Sequence, residues 1–89
     1  MVELREHRIK RLAMRSMRRG IKEMDIILGR FSDEKLAQLD DQALDLYDDL
    51  LSENDHDLYQ WCSGQTATPD KYLDLITDIS ENMAASDRK

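Results

Sequence analysis

Arg19, Gly20 and Glu23 carry the most specific chemistry in this chain. Residues four apart share one helical face, so Arg19 and Glu23 offer opposite charges at a fixed spacing. Gly20 bares the backbone beside them. In a helix interior glycine is worse than alanine by about 0.8–1 kcal/mol, so a glycine here marks a helix boundary or the close approach of another backbone. A local Arg19–Glu23 ion pair on the surface would contribute only about 0–1 kcal/mol and leave Gly20 unexplained. A contact site explains all three: the glycine admits a partner's backbone while the two charges supply polar recognition.

No other constellation supports catalysis. His7 sits among cations that disfavour its protonated form and reads as a surface histidine. His56 lies in Asn54-Asp55-His56-Asp57, where neighbouring side chains at a helix start diverge, so a capping turn is expected rather than a ligand set. Cys62 has aromatic neighbours and acids around it and no base, which suits a packing cysteine and not a nucleophile. Trp61 reads as a core anchor. The aspartates of residues 41–57 read as a solvated face. EF-hand, zinc-ligand and phosphate-loop spacings are absent, so no metal is expected.

These residues must be positioned by a small framework. Eighty-nine residues with 40% hydrophobic and 36% charged side chains make one domain, 1–89, with an ordered core over about 5–82. No apolar run approaches the ~18 residues of a membrane span, so membrane insertion is not expected. The first residues lack the apolar stretch of a secretory signal, and a single cysteine suits a reducing, cytoplasmic setting. Residues 1–31 carry nine Lys/Arg against four Asp/Glu, net +5; residues 32–89 carry four against fifteen, net −11. The acidic half argues against nucleic acid as a partner. The split suggests two faces, or two halves that attract each other.

Periodicity gives helices and no strand, an all-α bundle of about five helices. Ile9, Leu12, Ala13 and Met17 place one helix over about 5–19. Met24, Ile27, Leu28 and Phe31 place a second after Gly20, to about Gly29 or Phe31, with Gly29 as the terminator the residue types offer. Ser32-Asp33-Glu34 reads as the cap of a short helix to about Leu39. Asp40 caps a helix over about 41–52 with Ala43, Leu44, Tyr47, Leu50 and Leu51 inward. Asn54 or Asp55 caps another, ended by Gly64. Thr68-Pro69-Asp70 starts the last, Pro69 to about Asn82, with Tyr72, Leu73, Ile76, Ile79 and Met83 inward; residues 84–89 are expected to fray.

At Arg18-Arg19-Gly20-Ile21-Lys22-Glu23-Met24-Asp25 the chain resembles the Arg-Gly-x-x-Glu signature of SdhE-type (YgfY) assembly factors of succinate dehydrogenase, which are related to a mitochondrial assembly factor. Ile27-Leu28-Gly29-Arg30-Phe31 is similar to bacterial members. Leu50 to Trp61 resembles a second block of that family, Leu-Leu-x-x-x-Asp-x-Asp-Leu-x-x-Trp. The match covers roughly residues 8–80. It departs at His56, where many members carry proline, so a looser start of that helix is expected.

The resemblance implies a five-helix bundle and a non-enzymatic flavinylation factor. Such a protein binds the flavoprotein subunit of succinate dehydrogenase, or of fumarate reductase, and promotes covalent attachment of FAD to a histidine of that subunit. FAD is then the partner's cofactor, and this chain holds none stably. Residue by residue, the resemblance makes Arg19, Gly20 and Glu23 the interaction residues, with Arg18 and Asp25 beside them. Two rivals remain open: a regulatory interaction protein of antitoxin type, and a small nucleic-acid binder using the Arg-rich first helix.

Overall fold

The computed structural model describes residues 3–87, with side chains as far as Ala85. Five α-helices follow in order: α1 (Arg5–Arg15), α2 (Lys22–Lys35), α3 (Asp41–Leu50), α4 (Asp55–Ser63) and α5 (Leu73–Asp87). Short 3₁₀ turns at Leu36–Gln38 and Asp70–Tyr72 follow α2 and precede α5. No strand occurs among the described residues.

The helical stripes meet in one core. α2 is the central element and touches α1, α4 and α5; α5 also packs on α3 and α4. Leu12, Met24, Leu28, Phe31, Leu44, Tyr47, Leu58 and Ile79 lie in this core with at most 1% of their surface exposed. The Phe31 and Tyr47 rings pack tilted, 5.7 Å between centroids. Buried Ser16 donates to the Leu12 carbonyl at 2.8 Å, so the Tyr47 hydroxyl, 2.6 Å from Ser16 Oγ, donates to it in turn. Trp61 is only partly buried, packing on Tyr72 at 5.9 Å.

Several helix ends form as the sequence dictates. Asp40 accepts from the Ala43 N–H at 2.8 Å, and Asn54 from the His56 N–H at 2.8 Å. Gly64 ends α4 at φ +79°, the left-handed position that favours glycine. With Asn54 capping, α4 starts firmly despite His56.

Three expectations are corrected. α2 runs through Gly29 and Ser32 to Lys35. Burial of Phe31, Ser32 and Leu36 outweighs the local stop signals, and the Ser32 hydroxyl bonds back to the Gly29 carbonyl at 3.0 Å instead of capping. α1 stops at Arg15, not Arg19, so Met17 falls outside it and is 47% exposed. Pro69 precedes a 3₁₀ turn rather than opening the last α-helix, which begins at Leu73; that shift turns Leu73 outward and Leu75 inward. α5 is helical to Asp87; residues 88 and 89 lie outside the described residues.

Candidate functional site

The segment between α1 and α2 is fixed from several sides. Arg18 takes a left-handed conformation, φ +59°, and reverses the chain after α1. A non-glycine residue held there costs on the order of 1–3 kcal/mol and persists only where its surroundings enforce it. They do so through Arg19. Its guanidinium donates to the Arg15 carbonyl (3.0 Å) at the end of α1 and to the Leu51 carbonyl (2.9 Å) just past α3. Its Nε donates to Asp55 Oδ1 at 2.8 Å, at the first residue of α4. The charges suit the helix ends: a cation at two C-termini, a carboxylate at an N-terminus. The two side chains are only 11% and 17% exposed.

The backbone of the loop is held as firmly. The Arg19 N–H donates to Asp25 and the Gly20 N–H to Asp55 Oδ2 at 2.6 Å. Successive N–H groups of this kind form an anion-binding concavity, and here the chain's own two carboxylates occupy it. A Cβ on Gly20 would lie 3.1 Å from Asp55 Oδ2. The glycine thus has a reason inside the molecule: it lets a carboxylate reach the main chain.

Of the five residues singled out by sequence, Arg19 and Asp25 point into the molecule. Gly20, Glu23 and Arg18 stay exposed. Arg19 pairs with Asp55, and Glu23 makes no ion pair or hydrogen bond among the described residues. Asp55 is the member that residue spacing missed. Two signals pointed to it: the charge split between the halves, and its place in the second block of resemblance, which the structure brings against the first.

The same pairing runs the length of α1. Arg5 meets Asp41 at 3.1 Å, Arg8 meets Asp45, Arg11 meets Asp48 at 3.1 Å and also Glu3, and Arg15 meets Asp48. The numbers rise together, so α1 and α3 lie parallel with facing charges. Burial alone would raise the Asp48 carboxyl, but the Arg11 hydrogen bond and the charges of Arg11, Arg15 and Arg8 outweigh it and hold it below the usual carboxylate range. Arg5, Arg8, Arg11, Arg15 and Arg19 are paired with carboxylates of α3 and α4, which disfavours the nucleic-acid reading.

A groove of about 540 Å³ is bordered by Glu34, Asp78 and Glu81 against the single cation Lys35, a net negative setting that opposes a pyrophosphate. Burial pushes the Cys62 thiol up to about 11, the reverse of a reactive thiolate. Among the described residues no three His, Cys, Asp or Glu side chains gather closely enough to hold a metal ion, and no helix is long and apolar enough to cross a membrane.

Comparison with known proteins agrees with the two blocks. Residues 10–83 match the family model Sdh5, described as "Flavinator of succinate dehydrogenase". Three fungal proteins named "Succinate dehydrogenase assembly factor 2, mitochondrial" are similar. That of Meyerozyma guilliermondii is 43% identical over 98% of this chain and 68% of its own length. That of Schizosaccharomyces japonicus is 36% identical over 84% and 54%, and that of Schizosaccharomyces pombe 37% over 79% and 50%. The chain therefore spans about half to two thirds of the length of these relatives. Their mitochondrial names lend no support to the bacterial placement read from Ile27 to Phe31. Since the matched region takes in both the pinned loop and the α4 carboxylate that pins it, the chain belongs to the Sdh5 family.

Proposed function

We propose that this chain is an assembly factor that docks on the flavoprotein subunit of succinate dehydrogenase, or of fumarate reductase, and promotes covalent attachment of FAD to it. Family membership favours this over the antitoxin and nucleic-acid readings. The observation that carries the docking surface is the loop held by Asp25, Asp55 and two helix-end carbonyls. It presents Arg18, Gly20, Lys22 and Glu23 on a backbone fixed before any partner arrives, which lowers the ordering cost of binding. Arg19 and Asp25 act here as positioning residues: they shape what Gly20 and Glu23 present.

The chain is not an enzyme in this reading. FAD belongs to the partner, and when bound there it would supply the flavin methyl carbon to which the partner's histidine becomes joined. A concavity already filled by Asp25 and Asp55 supports leaving FAD to the partner. What this chain contributes is differential affinity. By binding the arrangement of the flavoprotein subunit in which histidine and flavin meet more tightly than the alternatives, it raises the population of that arrangement. Correct placement alone supplies several kcal/mol of rate enhancement. The compartment proposed is the cytoplasm, or the mitochondrion if the chain follows its fungal relatives; co-fractionation with the unassembled subunit distinguishes them.

The test is deletion of the gene followed by in-gel flavin fluorescence of the denatured flavoprotein subunit. Covalent flavin should fall sharply and return with the wild-type gene. Undiminished flavin would exclude the assembly role.

A further inference from the structure

The Glu23 side of α2 borders a second feature. Glu23, Ile26, Ile27 and Arg30 fall at i, i+3, i+4 and i+7, one face of the helix. With Tyr59 of α4 and Met83 of α5 they line a groove of about 210 Å³. Ile26 stands 46% exposed at its edge, whereas Ile27 is buried at its base. A lone exposed isoleucine needs no explanation. Here it belongs to an apolar recess formed by three helices. The volume lies below the roughly 300–1,000 Å³ of small-molecule sites, so the recess suits one large side chain better than a cofactor. At the loop end stands Glu23, a carboxylate without a described partner and one helical turn from Gly20.

We infer that this groove receives a segment of the flavoprotein subunit that inserts a large aliphatic or aromatic side chain between Ile26, Tyr59 and Met83 and sets a lysine or arginine on Glu23. The inference rests on the docking role proposed above and extends that surface from the loop onto α2, α4 and α5. The occupant follows from the recess: apolar walls call for an apolar anchor, and an unpaired carboxylate at the rim calls for a cation beside it. The charge would mainly set register and association rate, while the anchor would set dissociation.

Calorimetric titration of the purified, unflavinylated flavoprotein subunit tests this. Ile26→Glu and Glu23→Lys should each weaken binding at least tenfold, and Ile26→Ala and Glu23→Gln several-fold. Glu34→Lys, elsewhere on α2, should bind as wild type. Because Ile26 and Glu23 are exposed, thermal unfolding of these variants should stay close to wild type, and the Ala and Gln variants provide a reading if a charge change disturbs α2. Wild-type affinity in both Ile26→Glu and Glu23→Lys would overturn the groove and leave the docking role standing. Absence of binding by the wild-type chain would overturn both. Self-association of the wild-type chain abolished by Ile26→Glu would assign the groove to a second copy, and binding of free FAD abolished by the same change would assign it to a cofactor; either would overturn the inference.

Discussion

Asp55 ties the loop together through one carboxylate, with Oδ1 on the Arg19 side chain and Oδ2 on the Gly20 main chain. Removing one member of a mostly buried pair strands the other charge, and that costs about 3 kcal/mol or more. Asp55→Ala should therefore lower unfolding free energy by about 3 kcal/mol in urea titrations, far more than any member of the exposed Arg5–Asp41 pair. Asp55→Asn, which keeps an acceptor for the Gly20 N–H, should lose less. Equal effects of Asp55→Ala and Asp41→Ala would show that the loop is not pinned in this way. From sequence, Arg19 and Gly20 were legible as unusual but not their direction. That direction depends on a left-handed Arg18 and a partner 36 residues away, and spacing along a helix reports neither.

At the scale of elements, apolar periodicity found the helices, and the caps at Asp40, Asn54 and Gly64 were readable from residue type alone. The error at α2 has a single cause. Gly29 and Ser32 are genuine local stop signals, but Phe31 and Leu36 must both reach the core, and only a helix continued through Gly29 brings them there. Gly29 then sits mid-helix with an ordinary φ and open space where a Cβ would go. Gly29→Ala should stabilise the protein by about 0.8–1 kcal/mol, read as a higher urea midpoint at unchanged slope. A loss of stability would mean that α2 is broken at that position.

For the molecule as a whole, the split between a basic first third and an acidic remainder resolves into α1 lying along α3 with its arginines on aspartates. The attraction between halves was legible; the parallel pairing was not, because it depends on how α2 returns the chain. Alkaline pH probes the core beneath. Burial raises the Tyr47 phenol to about 12 and the Cys62 thiol to about 11. Both groups keep their protons in the fold at pH values where the unfolded chain has lost them, so stability falls as pH rises. The fall should begin near the ordinary thiol value of ~8.5, steepen past ~10 for the tyrosine, and level off above the folded values. Cys62→Ala should remove the first part only. Stability unchanged from pH 8 to 11 would place both side chains in contact with water.

The most direct measurement is covalent flavin formed in a purified mixture of apo flavoprotein subunit and FAD, with and without this chain. Wild-type chain should raise the rate of attachment, and Gly20→Arg, folded by circular dichroism, should leave it at the level without the chain. Equal rates with and without wild type, or full activity of Gly20→Arg, would contradict docking through the pinned loop as the basis of function.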